Sequence, residues 1–148
     1  MSFVIWSLVN LAWAGPASAD RDSRGGNKGA VFATHLTGEE EVPDPGDADG
    51  IGNAQLRIGP GDVVCYRLRV RKMDAPTAAH IHVAPRGEAG PVVVPLTGRW
   101  AATPDGGFRL EGCVSDGDAA AILSNPVNHY VNVHNKAFPP GAVRGQLH

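Results

Sequence analysis

The sequence predicts an all-β fold, an antiparallel β-sandwich with one short helix, and three observations predict it. Apolar residues recur at every second position in short runs, the period of a strand with one buried face, and sustained helical periodicity is scarce. The runs are separated by clusters of Gly, Pro and Asp that favour turns. Nineteen glycines and twelve prolines in 148 residues are accommodated only by a fold with many short connections.

The chain opens on an apolar run, residues 3–14, too short to span a bilayer comfortably. Gly15-Pro16 breaks it, and Ala17-Ser18-Ala19 offers the small residues a signal peptidase accepts. Residues 1–19 are therefore expected to be a signal peptide cleaved before Asp20, although no basic residue stands at its start. No cysteine follows the run, which argues against a lipid anchor, and no later stretch approaches the ~20 apolar residues of a membrane span. Residues 20–29 are polar and glycine-rich and read as a flexible leader. Residues 30–148 are expected to form one exported, secreted domain without internal repeats.

Within that domain, strands are expected at residues 30–36, 52–58, 63–71, 79–83, 92–96, 108–114, 130–134 and 142–147. Pro43-Asp44-Pro45-Gly46, Gly59-Pro60-Gly61-Asp62, Pro85-Arg86-Gly87, Pro104-Asp105-Gly106-Gly107 and Pro139-Pro140-Gly141 supply the turns between them. The exception is residues 116–125, where Asp116 or Asp118 is placed to cap a short helix through Ala119-Ala120-Ala121-Ile122-Leu123 before Pro126 stops it.

The pleat also places the two cysteines. Along residues 63–71, Val64, Tyr66, Leu68 and Val70 share the inward parity, so Cys65 faces outward with Arg67 and Arg69. Along residues 108–114, Leu110 and Val114 face inward, so Cys113 faces outward with Arg109 and Glu111. A shared outer face predicts a Cys65–Cys113 disulfide between neighbouring antiparallel strands, with Arg67 and Glu111 pairing beside it. Two free thiols as metal ligands or a redox pair are the weaker reading, because CxxC spacing is absent.

The formal charge is −2 with the signs mixed along the chain, which offers no stripe for nucleic acid and no polybasic membrane anchor. Charge balance names no partner.

The chemistry-bearing pattern is His80-Ile81-His82 together with the His134 that ends Tyr130-Val131-Asn132-Val133-His134. Ile81, Val83, Val131 and Val133 enter a core only if His80, His82 and His134 face away from it. Neighbouring strands lie ~4.8 Å apart, so three imidazoles on adjacent strands form a facial donor set that suits copper or zinc and leaves an open position. Tyr130 and Asn132 share the parity of His134 and are candidates for a fourth ligand or a supporting group. His129 has the opposite parity, and His35 and His148 stand apart from these motifs, so none of the three is included.

Phe32-Ala33-Thr34-His35-Leu36-Thr37-Gly38 leading to Glu41-Val42-Pro43, then Ala79-His80-Ile81-His82, then Tyr130-Val131-Asn132-Val133-His134, and finally Gly141-Ala142-Val143-Arg144-Gly145-Gln146-Leu147, taken in this order, resemble the CHRD domain, named after chordin and common in exported bacterial proteins. The resemblance runs from about residue 30 to the C-terminus. It departs from the family at Val83, where Gly is frequent after the second histidine, and at Asn135, where Thr is frequent after the late one. It implies an extracellular β-domain without a generally accepted enzymatic role, and a weak link to protein binding through the growth-factor-binding domains of chordin-like proteins. Glu41 closes the family's first motif and is the candidate fourth metal ligand or helper; if Arg144 pairs with it, that carboxylate is structural.

Immunoglobulin-like and superoxide-dismutase-like sandwiches are the architectures expected, and the latter also builds a metal centre from an HxH strand. The chain lacks a recognisable bridging histidine or an aspartate-containing zinc loop, so dismutation is not inferred from architecture. A G-x-S-x-G elbow is absent, Gly59-Pro60-Gly61 leads into a strand rather than a helix, and Glu39-Glu40-Glu41 reads as turn decoration, so hydrolysis and phosphate binding are unsupported. Two functions remain: an exported copper- or zinc-binding domain, or a non-catalytic module whose histidines brace the sheet while an edge or loop binds an extracellular or envelope protein.

Overall fold

A computed structural model describes residues 29–148; the expected signal peptide and nearly all of the leader lie outside the described residues. The strands, in chain order, are β1 (Ala30–Thr37), β2 (Ile51–Gly59), β3 (Val63–Arg71), β4 (Pro76–Val83), β5 (Val92–Pro95), β6 (Ala101–Ala102), β7 (Phe108–Ser115), β8 (His129–Asn135) and β9 (Val143–Gln146), with helix α1 (Ala119–Ser124) between β7 and β8. Among the described residues, these nine strands join one antiparallel sheet in the order β5-β4-β8-β9-β1-β2-β3-β7-β6. The sheet is curled into a half-barrel, so its two halves face each other as the layers of a sandwich do.

Alternation decides which side of the curl is the core. On β1, Phe32 and Leu36 point in while Val31, Ala33 and His35 are exposed, and β2 and β3 repeat the pattern with Leu56, Ile58, Val64 and Leu68 buried. Ile81, Val131 and Val133 from the other half join the same apolar cluster. Burying such side chains contributes roughly 1.5–3 kcal/mol each, and this stabilisation opposes the entropy of ordering the chain.

Cys65 and Cys113 are direct partners in the β3–β7 register and form the disulfide on the outer face. Beside it Arg67 Nε meets Glu111 Oε1 at 2.8 Å. The short helix forms where expected, but without a side-chain cap: Asp118 itself has helical backbone angles, and Asp116 Oδ1 accepts the Asp118 N–H at 3.0 Å as a local turn. Pro126 stops the α-helix and begins a 3-10 turn over Pro126–Asn128, because a fixed φ suits the first position of such a turn. Strand β6 carries no alternation signal in its two alanines; it exists by pairing Ala101 with Arg109 and Ala102 with Phe108.

β9 threads between β8 and β1, and that position requires a glycine. A Cβ on Gly145 would collide with the His35 carbonyl, so only glycine lets β9 approach β1 this closely.

Candidate metal centre

His80 and His82 project from β4 and His134 from the adjacent β8, all on the side of the sheet opposite Ile81, Val131 and Val133. The β4–β8 register sets His80 beside Asn132, His82 beside Tyr130 and Ala78 beside His134, so His134 approaches His80 diagonally. One ligand-capable atom from each of the three histidines lies within 4.8 Å of the others. His80 Nδ1 and His134 Nε2 are 3.0 Å apart. That separation is less than twice the ~2.0–2.1 Å length of a zinc–imidazole bond, so one ion can reach both nitrogens.

Backbone carbonyls fix two of the rings. His134 Nδ1–H donates to Pro139 O at 2.9 Å, and His82 Nδ1–H donates to Gly90 O at 2.8 Å. Each bond leaves Nε2 as the lone-pair nitrogen, the arrangement that a carbonyl accepting from the other ring nitrogen imposes on a ligating imidazole. All three pKa values fall below the ordinary histidine value, first because burial disfavours the charged ring; His80 is lowered to about 4, with His134 and His82 adding repulsion. At neutral pH the cluster is therefore uncharged and its lone pairs are available.

Protein groups also occupy these nitrogens. Asn132 Oδ1 lies 3.0 Å from His82 Nε2, so a neutral His82 satisfies both neighbours only when the Asn132 amide turns its NH2 toward the ring. With His134 donating through Nδ1, the proton between His80 and His134 belongs to His80 Nδ1. Moving it to His80 Nε2 changes no charge and leaves two lone pairs facing each other.

Parity predicted outward-facing rings but not the roof above them. His82 is buried, because residues 84–91 fold back over it. Arg144 holds that loop by donating to Glu88 O at 2.8 Å and Pro85 O at 3.2 Å, and Gln146 Nε2 donates to Ala84 O at 2.9 Å. Arg144 is 1% exposed, and its guanidinium carbon lies 3.4 Å from the centroid of the Tyr130 ring, which also stacks on His82 at 4.8 Å. The result is a column, Arg144–Tyr130–His82, ending at the histidine cluster. Sequence reasoning named Tyr130 and Asn132 as supporting groups but missed Gln146, Gly90 and Pro139. The polar residues at alternate positions of Arg144-Gly145-Gln146 were the available signal for Gln146; the carbonyls had none.

Glu41 is not part of the three-histidine cluster. Its carboxylate packs over Gly141, where any Cβ would strike it, and Oε1 is buried without a hydrogen-bond partner. Burial raises its pKa to about 7, with Arg144 pulling it down less strongly. No Glu41–Arg144 ion pair closes within 4 Å, so the alternative pairing with Arg144 acts only at longer range. The three excluded histidines do stay apart: His129 is buried with Nδ1 against Asn125 O at 2.9 Å, while His35 and His148 are exposed.

No helix among the described residues is long and apolar enough to cross a membrane. No curated protein and no solved structure matches the chain. A family model, that of the CHRD domain, matches residues 32–147. The match takes in all three clustered imidazoles, the disulfide and the Arg144 strand that roofs the site, and the chain belongs to the CHRD domain family.

Proposed function

We propose that this protein is an exported CHRD domain that binds one transition-metal ion, copper or zinc, through His80, His82 and His134. The observation that carries the reading is the convergence of three neutral imidazoles, two of them oriented by Nδ1–H bonds to the carbonyls of Gly90 and Pro139. Copper and zinc both favour such nitrogen donors, and three of them leave a coordination position for water or a small ligand. The ion would supply Lewis acidity or, if copper, redox chemistry at that position. The protein's own contribution is to hold the rings neutral and oriented beneath the Arg144-anchored loop. Glu41, outside the cluster, acts in this reading through Arg144 and the roof rather than as a ligand. No reaction is assigned.

The test is calorimetric titration of tag-free, metal-stripped protein with copper or zinc. One ion per chain is expected, with affinity falling at least about a hundredfold in His134→Ala and in His80→Ala/His82→Ala. Circular dichroism of the variants should keep the β spectrum. Absence of binding by the parent protein, or unchanged affinity in folded variants, overturns the reading.

One observation favours a second reading. His80 with His134, and His82 with Asn132, already pair within the protein at 3.0 Å. Under that reading the histidines brace the sheet and the domain is an interaction module for an extracellular or envelope protein. Its signature is loss of fold in the histidine variants and no metal in the parent.

A further inference from the structure

The pleat that gathers the histidines also gathers arginines, at the other end of the sheet. Arg57 on β2, Arg67, Arg69 and Arg71 on β3, and Arg109 on β7 all occupy outward positions and are exposed. The registers place them in neighbouring rows: Arg57 beside Cys65, Gln55 beside Arg67, Asn53 beside Arg69, and Arg69 beside Arg109. The balanced charge of the whole chain conceals this concentration, because Asp44, Asp47 and Asp49 lie together in the connection between β1 and β2.

Three shallow depressions cross the face and run into one another. The first includes Arg57 and Arg67, the second Arg67 and Arg69, and the third Arg69 and Arg71. The row of Arg57 and the row of Arg71 are six positions apart along β3, roughly 20 Å. Such a length suits a linear polymer better than a small ligand.

The face already shows what its guanidinium groups hold. Glu111 Oε1 is shared by Arg67 at 2.8 Å and Arg109 at 3.7 Å, and Asp105 Oδ2 lies 3.2 Å from Arg69. Among the described residues, no carboxylate comes within ion-pair distance of Arg57 or Arg71, which stand at the two ends. Five arginines thus share the face with two paired carboxylates, and both ends lack an acidic partner.

We propose that this face binds a linear polysaccharide bearing carboxylates, a polyuronate-type chain. Guanidinium forks match carboxylates in a bidentate way that lysine cannot, and all five basic positions are arginine. Asn53 and Gln55 stand between the arginines as neutral donors and acceptors for sugar hydroxyls. Among the described residues, no exposed Trp, Tyr or Phe offers a platform for unpaired bases, and Val31 is the one large apolar side chain exposed on the face, too little for membrane insertion. The surface lies across β9 and β1 from the histidine cluster and does not depend on it.

Affinity electrophoresis of the purified protein through gels containing polygalacturonate tests the proposal. Retardation is expected, and it should weaken with added salt, because exposed charges are screened. Arg57→Gln/Arg71→Gln should bind about tenfold more weakly, while Arg86→Gln/Lys136→Gln, which removes the same charge elsewhere, should match the parent. No retardation of the parent overturns the proposal, as does equal retardation by neutral dextran or an equal loss in both variants. Tighter binding to dextran sulfate of matched charge, to a single-stranded oligonucleotide or to anionic vesicles assigns the face to another partner and overturns it too. These comparisons of polymers and salt use the parent protein alone, so they decide the matter even if a variant fails to fold.

Discussion

The three clustered histidines and Glu41 pull the pH dependence of stability in opposite directions. His80, His82 and His134 have folded pKa values below the unfolded value of about 6.5, so the metal-free fold keeps their contribution above that pH and loses it as the pH falls through about 4 for His80. Glu41 is the reverse case. Its folded pKa of about 7 exceeds the unfolded 4.5, so its contribution is complete below pH 4.5 and is lost as the pH rises through 7. Glu41→Gln should therefore melt like the parent near pH 4 and more stably at pH 8, by on the order of 2–3 kcal/mol or several degrees. Thermal melts across pH 4–8 check this, and a difference that does not grow with pH contradicts it. The facing of each histidine was legible at this scale because Ile81, Val131 and Val133 leave no alternative in a strand. The environment of Glu41 was not, since it depends on Gly141, a hundred positions downstream.

Strands were legible wherever one face is apolar and the other polar. The expected 63–71 coincides with β3, and β1, β2 and β7 differ from expectation by one or two residues at their ends. The signal fails to assign a facing where both faces are buried: β9, expected at 142–147, is buried at every position and pairs with both β8 and β1, and its Arg144 and Gln146 lie under the loop of residues 84–91. It fails again at β6, which is too short to show a period. The β3–β7 pairing carries a prediction of its own. The disulfide spans 48 positions, and in the chain-entropy model removing it in Cys65→Ser/Cys113→Ser costs about 4 kcal/mol. Chemical denaturation should show that loss while the histidine cluster, on other strands, still binds metal in the folded protein. A variant as stable as the parent contradicts the estimate.

Across the whole molecule, one curled sheet gives a single inside and a single outside, and the outside is divided by charge. Neutral imidazoles gather on β4 and β8, His82 among them beneath a roof, and arginines spread over β2, β3 and β7 in the open. Composition reports only the near-zero sum of charges, which is why the sequence named the first site and not the second. The sandwich was readable as two facing halves; that the halves are one continuous sheet follows from β9 bridging β8 and β1, a long-range pairing without a local signal. The central claim is that three neutral imidazole nitrogens converge on one point able to hold an ion. X-ray absorption at the metal edge of tag-free, copper- or zinc-loaded protein counts them directly. Three imidazole donors, reduced to two in His134→Ala, is the predicted result; a shell of oxygen donors alone, or the same count in parent and variant, would contradict it.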